Sequence, residues 1–361
     1  MNSKKRTGRL AGSGGSASLA AAIAVAIAMA ISMAGLAAPA RAQEGKGYNA
    51  EDFGFEMGPV KAKGLLAPVY AQVAGDNVIV SDVAAGGVFS VAVAGGTATA
   101  VAKIKKPAGV AIAPDDFGSY GGQIFVLAPE GGDAKAPCAV ARIDKSGTVA
   151  SFAKLPAAGS LNGGKPTECR DLEFGAAGSP FAGKLYAATN GNAAIYEIDS
   201  GGKARALGTY DKPLAWEIHN IGFAPAGDSK APNAMLLSAR PRSEPAPKVG
   251  RIAIIDPSGK MRDEFYLVGL IRPTGFAFAP EGFGDHKGVL FVADQGKLAA
   301  DNNGEHDGHV FRLFKGMARD YGTGLVDPTC LKFAGKTMVL CDPAARGKTN
   351  SGALVTIAPA Y

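Results

Sequence analysis

Polar residues that could do chemistry fall at the start of several apolar segments of this chain. They comprise carboxylates, an amide, an imidazole, a hydroxyl and two guanidinium groups, at Glu168, Arg170, Asp171, Glu217, His219, Asn220, Arg272, Thr274 and Asp327. Carboxylate and amide oxygens bind divalent cations such as calcium, and an imidazole can act as general base at neutral pH. We therefore expect a ligand-binding site made of Arg170, Asp171, His219, Asn220, Arg272, Thr274 and Asp327.

Two chemical roles are predicted within this set. Asp171, Asn220 and Asp327 are the candidate metal ligands, and His219 is the candidate catalytic base. The alternative is structural, because polar side chains at strand ends commonly satisfy backbone groups and one another. Both interpretations stay open at the level of sequence.

A second polar cluster lies in the segment DNNGEHDGH, from Asp301 to His309. Its acidic and amide residues alternate as calcium ligands do, but His306 stands where an EF-hand needs glycine. An irregular calcium site, or a transition-metal site that uses His306 and His309, is one interpretation. A solvated loop is the other.

The elements that must position these residues are short apolar strands joined by Gly/Pro/Asp loops. The pattern reads GVAIAPDDFGSYGGQIFVLA from Gly109 to Ala128 and GFAFAPEGFGDHKGVLFVAD from Gly275 to Asp294. Six inner strands end on an apolar residue, at a spacing of roughly 50 residues: Val73, Ile112, Phe174, Phe223, Phe278 and Phe333. This repeat predicts an all-β fold, a six-bladed β-propeller with four-stranded blades.

The sixth blade lacks an outer strand at the carboxyl end, because the chain stops after its third strand. The early segment Asp52–Pro59 has strand-like alternation, and we expect it to supply the missing strand and close the ring. Closure removes exposed strand edges, which otherwise recruit other chains. A seven-bladed ring is the structural alternative, but no seventh repeat is visible.

The longest loops of the predicted propeller fall on one face, where the inner strands begin. They are Pro129–Pro137, Pro156–Thr167, Arg240–Val249, Gln295–Gly308 and Asp342–Ser351. Loops on a rigid scaffold commonly carry function. We therefore expect this upper face, with the candidate site at its centre, to bind the ligand or partner.

Two repeat phrases resemble a known group of propellers. HNIGFAPAGD (His219–Asp228) and RPTGFAFAPEG (Arg272–Gly282) are similar to phrases of the TolB-like six-bladed superfamily, and more narrowly of the regucalcin/gluconolactonase and NHL-type propellers. The resemblance spans nearly all of the chain after residue 42 and implies the fold rather than the function.

The regucalcin-type lactonases hold a cation through an acidic residue on the first blade, two asparagines and an aspartate. Asn220 resembles one of these asparagines. Thr274 stands in place of the aspartate, however, and Ala67-Pro68-Val69 offers no carboxylate. The resemblance therefore does not carry lactonase chemistry over to this chain.

Four cysteines in an exported chain predict two disulfides. Cys330 and Cys341 flank a two-residue turn at Gly335-Lys336, which places them opposite each other on neighbouring strands. Cys138 and Cys169 fall on neighbouring blades at the same face, which predicts the second bridge. Metal ligation is the rival interpretation, but no paired C-x-x-C element supports it.

The first 42 residues have the features of a secretory signal peptide. A basic start at Lys4-Lys5-Arg6 is followed by an apolar run over Leu19–Leu36 and by the cleavage motif Ala40-Arg41-Ala42. This predicts a propeller over residues 43–361, a periplasmic or secreted location and no membrane span after cleavage. An uncleaved membrane anchor is the alternative.

The charge of the chain argues against nucleic acid as a partner. The formal net charge is +6, but the first 42 residues hold five Lys/Arg and no Asp/Glu. The remainder is therefore nearly neutral, and no basic stripe is left to attract phosphate backbones.

The sequence supports two main functions and contains no complete catalytic motif to decide between them. The prediction is a binding module whose upper face recognises a small molecule, a glycan or a protein. The alternative is a metal-dependent hydrolase of the lactonase or esterase type, with a divalent cation such as calcium in the central channel. A quinone-dependent sugar dehydrogenase of the propeller type is a third hypothesis.

Overall fold

The computed structural model describes residues 49–50, 55–59, 62–212, 215–242, 250–297, 307–344 and 352–359. These residues belong to one compact unit. The predicted signal peptide, most of the DNNGEHDGH segment and parts of three predicted long loops lie outside the described residues. None of the helices in the described part of the chain is long and apolar enough to cross a membrane.

The chain folds into six antiparallel blades, which confirms the predicted propeller. Three short strands precede the first blade: β1 (Asn49–Ala50), β2 (Phe55–Pro59) and β3 (Ala62–Lys63). The first blade contains β4 (Pro68–Ala74), β5 (Asn77–Asp82), β6 (Gly87–Ala92) and β8 (Thr99–Lys103), and β7 (Gly96–Thr97) pairs in parallel with β3. The second blade contains β9 (Val110–Ile112), β10 (Ile124–Pro129), β11 (Cys138–Ile143) and β12 (Val149–Lys154).

The remaining blades follow the same order from the inner strand outwards. The third contains β13 (Cys169–Phe174), β14 (Leu185–Thr189), β15 (Ala194–Ile198) and β16 (Ala204–Thr209), and the fourth β17 (Trp216–Phe223), β18 (Met235–Pro241), β19 (Gly250–Ile255) and β20 (Met261–Leu270). The fifth contains β21 (Pro273–Phe278), β22 (Leu290–Asp294), β23 (Gly308–Phe314) and β24 (Met317–Leu325), and the sixth β25 (Cys330–Ala334), β26 (Thr337–Asp342) and β27 (Ala353–Pro359). Within the described ranges, short 3₁₀ helices lie in loops at Glu130–Gly132 and Leu161–Gly164.

An early strand closes the ring as predicted. β2 pairs antiparallel with β27 and becomes the outer strand of the sixth blade, with Met57 opposite Ile357. The preceding strand β1 was not predicted, and it pairs with β24 on the outer edge of the fifth blade. The first two strands of the propeller thus pair with the outer edges of two neighbouring blades.

The core consists of apolar layers between adjacent blades. The two repeated phrases place Phe117 and Phe283 at equivalent positions, and both are fully buried. Phe117 packs edge-on against Phe174 of the third blade, and Phe283 packs edge-on against Phe333 of the sixth, with ring centroids 4.8 and 5.0 Å apart. The repeat therefore places a buried phenylalanine that packs each of these blades against the next.

Both predicted disulfides are present. Cys330 lies directly opposite Cys341, with Cα atoms 5.1 Å apart, and Gly335 in the turn between them has a positive φ of 55°. Cys138 and Cys169 join the second blade to the third, with Cα atoms 5.6 Å apart. The second bridge ends at the residue directly before Arg170.

Buried aspartates at the ends of second strands hold the loops that enter the inner strands. Asp82 accepts hydrogen bonds from the backbone N–H groups of Leu66 and Ala67. Asp294 does the same for residues 271 and 272, and Asp342 for residues 326 and 327. Each of these carboxylates satisfies amides that lie outside the strand ladders, so this recurring aspartate serves the fold.

The inner strands approach one another closely around the central channel. The Gly109 N–H donates to the Arg170 carbonyl of the next blade at 2.7 Å. A β-carbon on Gly109 would lie 2.3 Å from the Leu172 backbone nitrogen, and one on Gly275 would lie 2.2 Å from that of Leu331. Only glycine fits at these two contacts between blades.

We predict that Gly109→Ala and Gly275→Ala each lower the free energy of unfolding by about 3 kcal/mol, because the added methyl group forces neighbouring inner strands apart. Denaturant titration measures the change. Gly227→Ala is the matched control, since a β-carbon there meets no atom within 4 Å. Equal stability of all three variants would contradict the close packing of the inner strands.

Candidate functional site

Five of the seven candidate binding residues lie in irregularities of three consecutive inner strands. The pairing register shifts between Cys169 and Leu172, between Ile218 and Ile221, and between Pro273 and Phe276. The residues inside these bulges are Arg170-Asp171, His219-Asn220 and Thr274-Gly275. A bulge re-aims side chains that a regular strand would hold in alternation, so these pairs occupy equivalent positions at the upper end of the channel.

The charges of four arginines act on His219. Burial lowers the pKa of His219 well below its usual value, and the positive charges of Arg170, Arg272, Arg240 and Arg242 lower it further. The imidazole is therefore neutral at physiological pH, and the arginines supply the positive charge of the site. We call the set formed by Arg170, His219, Arg240, Arg242 and Arg272 the arginine pocket.

Two of the four arginines have partners within the described structure. Arg240 donates from Nε to Glu217, which also lies 3.8 Å from His219 Nε2. Arg242 donates to the Asn190 carbonyl and lies 4.0 Å from Glu168. These two guanidinium groups are held in place by acceptors of the protein itself.

The other two arginines are less satisfied. The buried Nε atoms of Arg170 and Arg272 have no hydrogen-bond partner among the described residues. His219 Nε2, Asn220 Oδ1 and Gln295 Oε1 are likewise buried without a partner there. Native proteins leave few buried polar atoms unpaired, so these five atoms make the upper end of the channel the candidate site.

Comparison of equivalent positions in the blades explains which buried polar atoms have no hydrogen-bond partner. Glu168, Glu217 and Arg272 each lie two residues before the corresponding bulge, and Asn190, Arg240 and Gln295 lie at matching positions near the end of the second strand. In the third blade Asn190 donates to Glu168 at 2.9 Å, and in the fourth Arg240 donates to Glu217. In the fifth blade Arg272 and Gln295 share only a backbone hydrogen bond of 3.0 Å, and both side chains keep a buried unpaired atom.

Three predicted site residues are engaged in the fold. Asp171 accepts hydrogen bonds from the backbone N–H groups of Leu172 at 2.9 Å and of Ile221 in the next blade at 3.0 Å. Thr274 Oγ1 donates to the Pro328 carbonyl at 2.7 Å, again across a blade boundary. Burial lowers the pKa of Arg272, and Asp327 lies close enough to oppose this change.

A polar bridge crosses the channel below the arginine pocket. Lys332 of the sixth blade pairs with Glu173 of the third, and Gln72 of the first donates to Glu173 at 3.0 Å. The Tyr70 hydroxyl also lies 3.5 Å from the His219 carbonyl. Glu173 and Lys332 also line a cavity together with Phe174, Phe223 and Phe278.

The metal ligation predicted for Asp171, Asn220 and Asp327 stays a prediction. Asp171 is committed to backbone donors, and four guanidinium groups oppose a cation nearby. Within the described ranges, no three His, Cys, Asp or Glu side chains form a group that could hold a metal ion. In the DNNGEHDGH segment, His309 is described, and it contacts Asp307 and Asp320 at 2.8 and 2.9 Å.

Sequence reasoning did not select Arg240, Arg242, Glu173 or Lys332 as site residues. Arg240 lies near the end of β18 and Arg242 follows it, where the two neighbouring blades carry the amide residues Asn190 and Gln295. That departure from the repeat was the available signal. Lys332 and Glu173 lie within inner strands, and only the closed ring brings them together.

Comparison with solved structures supports the fold. The chain is similar to the PQQ-bound form of an aldose sugar dehydrogenase from Streptomyces coelicolor, with a TM-score of 0.54 and 13% identity over 84% of this chain and 98% of that one. It is also similar to a catalytically inactive virginiamycin B lyase from Staphylococcus aureus with quinupristin, with a TM-score of 0.50 and 13% identity over 84% and 99%. The hydrazine synthase of Kuenenia stuttgartiensis gives a TM-score of 0.50 and 16% identity over 80% and 81%.

These neighbours confirm the expected fold-level resemblance to propellers, but identities this low establish the fold alone. Their names describe different activities, so none transfers by similarity. No family model and no curated protein matches the sequence.

The buried carboxyl of Asp171 predicts a pH dependence of stability. Burial raises its pKa to about 7; Lys332 opposes this rise and Glu173 adds to it. An aspartate in an unfolded chain has a pKa of about 3.9. Between pH 4 and 7 the folded protein holds a proton on Asp171 that the unfolded chain has lost. The stabilisation that this proton gives to the folded state is complete below pH 4 and is lost as pH rises to 7.

As pH rises from 4 to 7, we therefore expect the free energy of unfolding to fall more steeply for the wild type than for Asp171→Asn. The two slopes should differ by up to about 1.4 kcal/mol per pH unit. Urea titrations at several pH values measure both slopes. Asp116→Asn, at an exposed position, is the control and should follow the wild type. Parallel profiles for the wild type and Asp171→Asn would refute this role.

Proposed function

We propose that this protein is an exported recognition module that binds a small organic anion in the arginine pocket at the upper end of the channel. The observation that carries the proposal is the pair of buried, unpartnered Nε atoms of Arg170 and Arg272 beside a neutral histidine. A ligand that brings acceptors to these donors relieves the cost of burying them, which is about 1–3 kcal/mol each.

Electrostatics favours an anion over the alternatives. His219 adds no charge, while the arginines that act on it contribute positive potential to the site. Guanidinium groups present paired donors that match a carboxylate or a phosphate in geometry. The same charges disfavour the divalent cation that a metal-dependent hydrolase would need.

An exported location fits the remaining observations. Two disulfides are typical of proteins that mature in an oxidising compartment such as the periplasm or the extracellular space. The predicted signal peptide supplies the route. A recognition role also agrees with the absence of a complete catalytic motif in the sequence.

Calorimetric titration at low salt tests the proposal, with acetate, succinate, citrate and PQQ as probes. PQQ, which is bound in the Streptomyces coelicolor structure described above, is included because it is a tricarboxylate. We expect at least one probe to bind the wild type and the double variant Arg170→Gln/Arg272→Gln to lose at least about tenfold in affinity, as loss of charged hydrogen bonds predicts. Affinity should also fall with added salt.

Arg262→Gln is the matched control, because Arg262 is exposed on the outer strand of the fourth blade. It should bind as the wild type does. Failure of every probe to bind, or wild-type affinity in the double variant, would refute an anion site at this position. Oxidation of aldoses by a complex with PQQ would instead identify the dehydrogenase considered from the sequence.

A further inference from the structure

The unpartnered atoms of the site are of two chemical kinds. Arg170 Nε and Arg272 Nε are donors, whereas Asn220 Oδ1 and Gln295 Oε1 are acceptors. We infer that the ligand is a polyhydroxylated anion, in which one acid group meets the arginines and neighbouring hydroxyl groups meet the acceptors. This inference rests on the proposed function and names the class of ligand that the same pocket takes.

The acceptors are built into the site rather than placed by chance. Asn220 and Gln295 are 5% and 7% exposed, and each has its amide oxygen buried and unpaired. Asn220 lies in the same bulge as His219, and Gln295 follows Asp294, whose carboxylate holds the backbone of Arg272. Both acceptors therefore lie on the elements that carry the arginine pocket.

Comparison of the blades strengthens this assignment. The position of Gln295 is occupied by Asn190 and Arg240 in the two preceding blades, and both side chains there bond to the acidic residue opposite. In the fifth blade the residue opposite is Arg272, and no described partner takes up its Nε or the Gln295 oxygen. The fifth blade thus leaves one donor and one acceptor, on residues joined by a backbone hydrogen bond, available to an external molecule.

A simple carboxylate satisfies only half of this set. It supplies acceptors to Arg170 and Arg272 but offers no hydrogen to Asn220 or Gln295. An ammonium group would supply hydrogens, but it would have to lie near Arg170 and Arg272, whose positive charges repel it. Hydroxyl groups donate without carrying charge, so they satisfy the acceptors at no electrostatic cost.

Hydroxyl groups also suit His219. Its Nε2 is buried and unpaired, and the side chain is 6% exposed. A neutral imidazole has one nitrogen that donates and one that accepts, and a hydroxyl can serve either nitrogen because it both donates and accepts. Carboxylates and phosphates both fit the arginines, so the acid group is defined by charge and geometry, and experiment must distinguish the two.

The test compares four probes by calorimetric titration of the full chain: D-glucuronate, D-glucose 6-phosphate, D-glucose and hexanoate. We expect at least one of the two hydroxylated anions to bind at least about tenfold more tightly than both glucose and hexanoate, as two added hydrogen bonds predict. The stronger of the two identifies the acid as carboxylate or phosphate. Equal binding of hexanoate and the hydroxylated anions would overturn the inference while leaving the anion site intact.

Two variants assign the contacts. Asn220→Ala should reduce the preference for the hydroxylated anion over hexanoate by about fivefold to tenfold, with little change in hexanoate affinity, whereas Arg170→Gln should weaken both anions. Asn77→Ala, at an exposed position at the start of β5, is the matched control. Unchanged preference in Asn220→Ala, confirmed as folded by its melting temperature, would overturn the role of Asn220. Absence of binding by every anion would refute the proposed function together with the inference.

Discussion

Six inner strands crowd around one axis, and this constraint shapes the rest of the molecule. Gly109 and Gly275 allow backbones of neighbouring blades to touch, at contacts where a β-carbon would overlap the next strand. Three of these strands bulge at their upper ends, and the bulges place polar side chains at the channel mouth. The site is thus a consequence of closing the ring.

The channel shows two ways in which a protein can bury charge. Below the pocket, Glu173, Lys332 and Gln72 satisfy one another across three blades, and such a complete network rigidifies the structure. At the upper end, donors and acceptors are buried close to solvent without completing such a network. The first arrangement holds the blades together, and the second is what a polar ligand needs.

Much of the architecture could be predicted from local patterns. Alternating apolar residues, turn glycines and the repeated Phe117 and Phe283 phrases indicate strands and blades, because side-chain direction and turn geometry depend on a few consecutive residues. The pairing of Cys330 with Cys341 follows from a short hairpin in the same way. The additional strand β1 was not predictable, since two residues carry no periodic signal and their partner lies on the far edge of another blade.

The sequence by itself determined the number of blades, the closing strand, both disulfides and the set of polar residues at the start of the inner strands. Tertiary structure decided what each of those polar residues does. Asp171 and Thr274 bond to the backbone of neighbouring blades, while Arg170, His219, Asn220 and Arg272 keep unpaired atoms. The physical reason is that hydrogen-bond satisfaction depends on groups far apart in the chain, which only the closed ring brings into contact.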